Sequence, residues 1–147
     1  MNLFYQLFIG SIMIGATVFI HAMGLDVIIR HAKRVETWLQ RLALNFWRPV
    51  MSSVIVVAVF GIHIVNMWLW AFLFMGMNCE GLSDFSTALH FSTSMYTTVG
   101  HNTISLGDSC NMLSGIEGAN GFLLFGWTTA FIFEVISQLY KREAREL

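Results

Sequence analysis

Three long apolar runs, separated by two more polar intervals, set the pattern of this chain. Leu3 to Ile29, Pro49 to Met77 and Ile116 to Tyr140 are predominantly apolar. Each exceeds the roughly 20 residues a helix needs to cross the hydrocarbon core of a bilayer, so each is predicted to span a membrane. In the first interval Val35, Trp38, Leu39, Leu42 and Phe46 recur at three- and four-residue steps, with Lys33, Arg34, Glu36, Gln40 and Arg41 largely between them. That periodicity predicts an interfacial amphipathic helix over residues 30–48, its basic residues toward anionic lipid. Pro49 suits the first turn of the next helix, where its missing N–H costs nothing.

The second interval holds a shorter element. Ser83 or Asp84 can cap a helix over Phe85–Tyr96. This helix is too short to span and carries Ser and Thr along one side, as a re-entrant element buried among other helices would. Its C-terminal end would point into the membrane and present a partial negative charge to a cation. Thr97-Thr98-Val99-Gly100 follow directly. Spanning helix, short helix, extended backbone and spanning helix is the order found where backbone carbonyls replace an ion's hydration shell.

Composition agrees with the membrane reading. The chain has 147 residues, 56% hydrophobic and only 12% charged, with a mean hydropathy of +0.64; a soluble domain averages about 25% charged residues. Residues 1–25 contain no Lys or Arg, so the first run lacks the basic start of a signal peptide. Three helices enclose no polar path alone, which points to oligomerisation, with a homotetramer expected. No repeat or second folded domain is visible.

Charge placement predicts topology. Arg30, Lys33, Arg34, Arg41 and Arg48 lie in the first interval and Lys141, Arg142 and Arg145 in the tail, accounting for all eight basic residues. By the positive-inside rule both are cytoplasmic, which puts the N-terminus outside and the C-terminus inside. The external loop then carries Glu80, Asp84 and Asp108, with Glu117 close behind and no base to offset them. Around the mouth of an oligomer these acids would raise the local cation concentration. The bland alternative is that they solvate an exposed loop. Cys79 and Cys110 share this loop. On an oxidising side of the membrane they form a disulfide, within or between subunits, or else remain two thiols.

In the last run Gly115, Gly118, Gly121 and Gly126 provide small residues for close packing. Gly126 lies near mid-membrane, as a bend point for gating or as room for a bulky neighbour. Thr128, Thr129 and Ala130 suit the lining of a water-filled cavity, with Phe133 a turn further on. Glu134 either lines the inner pore entrance or snorkels to the interface. His21 and His63 invite comparison with a bis-histidine haem or metal site. Measured from the cytoplasmic ends at Ile29 and Pro49, their depths differ, at roughly 12 Å and roughly 21 Å at 1.5 Å per residue. A buried polar contact, to Asn66 or a neighbouring helix, is expected instead. His90 is expected to buttress the short helix. No carboxylate pair, Ser/His/Asp set or phosphate-cradling Gly loop supports an enzyme.

Ala88, Leu89, Phe91, Ser92, Thr97, Thr98, Val99 and Gly100 stand where potassium-channel pore regions have these residues. The wider sequence resembles the bacterial potassium-channel-like family with a two-helix pore, in a small variant carrying an extra N-terminal helix. Ile20-His21-Ala22-Met23-Gly24, Trp68-Leu69-Trp70-Ala71 and the run Asn120 to Phe131 carry that wider likeness. The resemblance implies ion coordination by the backbone carbonyls of Thr98, Val99, Gly100 and His101, with the Thr98 hydroxyl at the inner end. Thr97 and Asn102 complete the expected ion-binding filter. The sequence departs from the family's TTVGYG at His101 and Asn102, and Thr103 replaces an anchoring Asp. Gly100, and Asn102 at some strain, are the expected carriers of left-handed backbone.

The expectation from sequence is therefore an all-α membrane protein with three transmembrane helices, a re-entrant pore helix and a filter. Its parts are an outer helix (1–29), an interfacial helix (30–48), a pore domain (49–140) and a short cytoplasmic tail (141–147) without a ligand domain. The expected function is a passive, homotetrameric channel for monovalent cations, potassium or sodium, in a bacterial inner membrane. No cofactor and no nucleic acid partner are expected. The alternatives are a channel-fold subunit that does not conduct and a haem- or metal-binding membrane protein.

Overall fold

A computed structural model describes residues 3–41, 46–100, 106 and 110–143. The described residues form four helices in chain order: α1 (Leu3–Arg41), α2 (Trp47–Gly76), α3 (Phe85–Tyr96) and α4 (Asn111–Glu143). Three of them, α1, α2 and Asn111–Lys141 of α4, are long and apolar enough to cross a membrane. The protein is an all-helical membrane protein.

The N-terminal part differs from the expected division. α1 runs unbroken for 39 residues, about 58 Å at 1.5 Å per residue, well beyond a hydrocarbon core of roughly 30 Å. No Gly or Pro lies between Leu25 and Arg41 to interrupt it. The stretch expected as a separate interfacial helix is therefore the continuation of the first span. Its apolar stripe also faces protein. Leu39 is buried and Val35 packs beside it, in a cluster with Met51, Ile55 and Leu139. Trp38 and Phe46 stay exposed, and Leu42 lies outside the described residues. An Asp26–Arg30 ion pair of 2.7 Å, one turn apart on the surface, adds at most a few tenths of a kcal/mol.

α2 carries Pro49 in its first turn, as expected. The Arg48 guanidinium lies 5.2 Å from the Trp47 ring centroid and 6.0 Å from that of Tyr140. These cation–π contacts join the start of α2 to the end of α4. At its other end α2 closes on Asn78, whose φ is +51°. Its N–H donates to Met75 O at 3.0 Å, and the Cys79 N–H donates to Phe74 O at 3.2 Å. This pair of bonds is a Schellman closure, in which Asn tolerates the left-handed position. The turn delivers Cys79 to a disulfide with Cys110, across 31 residues of sequence and a Cα–Cα distance of 5.9 Å. The bridge is intrachain.

Cys110 directly precedes α4 and its carbonyl accepts from Leu113 N at 3.1 Å. The Gln6 side chain of α1 accepts from the Met112 N–H at 3.2 Å, satisfying one of the amides left free at a helix start. α3 has the predicted bounds, and Asp84 is its cap, accepting from Thr87 N at 3.1 Å. α3 sits between α2 and α4, while α1 packs on the opposite side of both. Its placement matters because residues 97–100 continue directly from it.

Candidate ion-conducting site

α3 ends at Tyr96, and the chain turns at once. Thr97 has φ −81° and caps the helix through Thr93 O and Met95 O. Thr98 has φ +61° and Gly100 has φ +64°, whereas Val99 is not left-handed. The Thr98 N–H donates to Met95 O at 2.9 Å and the Gly100 N–H to Ser94 O at 3.1 Å. Left-handed backbone thus falls on every second residue. Thr98 is β-branched, and such residues adopt positive φ only against steric cost. Strain was expected at Asn102; among the described residues it sits at Thr98. His101, Asn102 and Thr103 lie outside the described residues, as does Asp108. Val99 projects from the chain, 69% exposed.

Backbone packing fixes the start of this segment. A Cβ on Gly121 of α4 would overlap the carbonyl of Tyr96, and one on Gly118 would lie 3.3 Å from Met95 O. These two glycines let α4 touch the last turn of α3, as small residues in spanning helices do. Gly115 and Gly126 differ, since a Cβ at either meets nothing within 4 Å. α4 continues through Gly126 without a break, so neither a bend nor a bulky neighbour is found there within the chain.

Tyr96 is fully buried and its hydroxyl is held by α2. His63 Nδ1 lies 3.0 Å from it and Asn66 Nδ2 3.4 Å away. His63 Nε2 is 2.9 Å from the Thr128 hydroxyl, which is also 3.1 Å from His21 Nε2. Phe125 stacks on the His63 ring at 4.3 Å. His21 and His63 are therefore level, their ring centroids 5.0 Å apart. The two histidines lie at one depth because α1 continues past Ile29 to Arg41. With the two rings in contact, no space for a planar macrocycle lies between them. Thr128 is buried in this network rather than lining a cavity, and His63 makes the expected contact to neighbouring helices, Tyr96 of α3 and Thr128 of α4, rather than to Asn66.

A second buried group supports α3 from behind. The Ser92 hydroxyl lies 2.8 Å from Met67 O of α2 and 2.5 Å from Glu117 Oε1 of α4. Glu117 is fully buried, which removes it from the mouth acids. Its position near the start of an apolar run looks external in the sequence, but its helical register puts it on the face of α4 toward α3. Glu80 and Asp84 are exposed. The hydroxyl and N–H of Thr87, bonded to the Asp84 carboxylate, hold it below the usual carboxylate range.

On α4, Gly126, Thr129 and Phe133 share an exposed face, with Phe133 74% exposed. Glu134 points elsewhere. It lines a cavity of about 290 Å³ with Ile28, Ala32 and Lys33 of α1 and Met51 of α2, and accepts from Gln138 Nε2 at 2.8 Å. Its neighbours are the other helices of its own chain. His90 is likewise exposed rather than packed behind α3. Sequence reasoning missed Tyr96 and gave Thr128 to a cavity wall, whereas Gly121 is one of the glycines it expected to permit close packing. The available signal was a pair of polar residues one turn apart, His63 and Asn66, inside an apolar span, where such groups rarely lack a purpose.

A family model described as an ion channel matches residues 50–138, more than half of the chain. The chain belongs to this ion channel family. The match covers nearly all of α2, the whole of α3 and the segment after it, and most of α4, and leaves out α1. No curated protein and no solved structure matches the chain. As a channel chain it places its three shared helices around the turn at residues 97–100, with α1 added outside the family core.

Proposed function

We propose that this chain is the subunit of a homotetrameric, passive channel for monovalent cations, potassium or sodium, working by transport rather than catalysis. The observation that carries the reading is the alternation of backbone handedness, with Thr98 at φ +61° and Gly100 at φ +64° either side of Val99. Successive carbonyls in a chain of alternating handedness turn toward one side. Four such strands around an axis would offer rings of oxygens in place of a hydration shell. His101 and Asn102 would continue the filter, the Thr98 hydroxyl would face inward, and Thr97 would join the filter to its helix.

Other features support this arrangement. Phe122 and Leu123 are exposed on α4, where a neighbouring subunit would pack. Gly126, Thr129 and Phe133 on the exposed side of α4 would then line the inner pathway. Glu80, Asp84 and Asp108 would attract cations to the outer mouth, in a bacterial inner membrane with the N-terminus outside and the C-terminus in the cytoplasm.

Planar-bilayer recording tests the proposal, with native mass spectrometry for subunit number. Wild-type protein should give cation current as a tetramer. Gly100→Ala should abolish current while keeping the tetramer, because an alanine at that φ forces the filter backbone out of line. Current unchanged in Gly100→Ala would place conduction elsewhere.

A further inference from the structure

We propose that His21 of α1 is a positioning residue for the conducting segment, the final acceptor of a one-way hydrogen-bond chain in which Tyr96 donates to His63, His63 to Thr128 and Thr128 to His21. The proposal rests on the reading of residues 98–100 as the filter.

Proton accounting gives the chain its direction. Two imidazole nitrogens face the Thr128 hydroxyl, His63 Nε2 at 2.9 Å and His21 Nε2 at 3.1 Å. A hydroxyl has one proton to give, so one imidazole accepts it and the other donates. His63 is bonded at both nitrogens, and a neutral ring donates from only one. Its Nδ1 faces the Tyr96 hydroxyl at 3.0 Å, and the same oxygen receives the Asn66 amide N–H at 3.4 Å.

With Asn66 donating, the Tyr96 proton goes to His63 Nδ1. His63 then donates from Nε2 to Thr128, and Thr128 donates to His21 Nε2. The opposite direction leaves two buried groups unmet, the Tyr96 hydroxyl proton and the bare His21 Nδ1, whereas this one leaves only the proton on His21 Nδ1. The His21 proton then resides on Nδ1. That atom is buried with no partner among the described residues, so the chain ends on the His21 ring, whose centroid lies 5.5 Å from that of Trp127. Residues from all four helices take part.

The chain acts on the filter through Tyr96. This residue is seated on Gly121 through its backbone and fixed by its hydroxyl, and Thr98 adopts its strained conformation only two residues later. Tilting the Tyr96 ring would shift the backbone from which residues 97–100 continue. α1 lies outside the matched family region, and a second bond, Asn120 Nδ2 to Thr17 Oγ1 at 2.8 Å, fastens it to α4 nearby. α1 would thus serve as a brace for the filter rather than as an anchor alone.

Two readouts on protein in liposomes test this. The first is ¹⁵N NMR of labelled histidines, which should find the proton of His63 on Nε2 and that of His21 on Nδ1. The second is the ratio of potassium to sodium flux. Thr128→Ser keeps the hydroxyl and should keep the ratio. Thr128→Val and His21→Phe should change it about fivefold, the scale of one hydrogen bond, with the oligomer intact. A His63 proton on Nδ1 in the wild type overturns the proposal, whatever the variants do. So does an unchanged ratio in Thr128→Val, and that result leaves the filter reading standing. A wild type without cation flux overturns the filter reading and, with it, the positioning role.

Discussion

The carbonyl of Tyr96 occupies the space where a Cβ on residue 121 would lie. This contact brings the last turn of α3 against α4 by backbone alone, and no side-chain rearrangement relieves it. Gly121→Ala should therefore break the seating of α3. Gly126→Ala meets nothing within 4 Å and gains helix propensity of about 1 kcal/mol. Thermal unfolding in detergent should show a clear loss of stability for Gly121→Ala and no loss for Gly126→Ala. Equal melting temperatures would mean that α3 and α4 are not in contact there.

Cys79 and Cys110 close a loop that contains α3 and the segment after it. For 31 residues of separation the chain-entropy estimate is about 3–4 kcal/mol. Cys79→Ser should lower stability by that order, and reduction of the wild type should do the same. On non-reducing gels the wild type should run as a monomer once denatured. A covalent dimer would contradict the intrachain bridge.

Asp84 caps α3, and its bonds to the Thr87 hydroxyl and N–H hold its carboxyl below the usual range. A carboxyl depressed in the folded state stabilises the fold above its unfolded value and loses that contribution as pH falls through the folded one. Asp84→Ala should therefore melt below the wild type at neutral pH, the gap closing in acid below the ordinary carboxylate range. A gap that persists unchanged in acid would assign Asp84 another role.

Glu117 is buried against Ser92 and makes no ion pair among the described residues. A buried carboxylate without a cation is costly, so a neutral group of the same shape should serve. Glu117→Gln should retain stability within about 1 kcal/mol, whereas Ser92→Ala, which leaves the buried Glu117 carboxyl without its hydroxyl partner, should cost about 1–3 kcal/mol. Denaturant unfolding compares them. A collapse of Glu117→Gln would show that the charge itself is required.

The sequence carries the three spans, the short helix from Phe85 to Tyr96 and its Asp84 cap because these are local signals of hydropathy and capping. It misplaces Glu117, since a carboxylate near the edge of an apolar run looks external until the facing Ser92, 25 residues away, is known. It cuts α1 at Ile29 because basic residues begin at Arg30, although charge alone does not stop a helix. The His21–His63 contact follows from that same error and spans 42 residues of sequence. The Tyr96 network joins residues 30 to 107 positions apart, and no periodicity encodes such contacts.

Cation flux into liposomes containing the purified protein tests the central claim most directly, comparing potassium, sodium and N-methylglucamine. The account predicts passive uptake of potassium or sodium with N-methylglucamine excluded, and loss of uptake in Gly100→Ala. Intact tetramers that pass none of the three cations would contradict it.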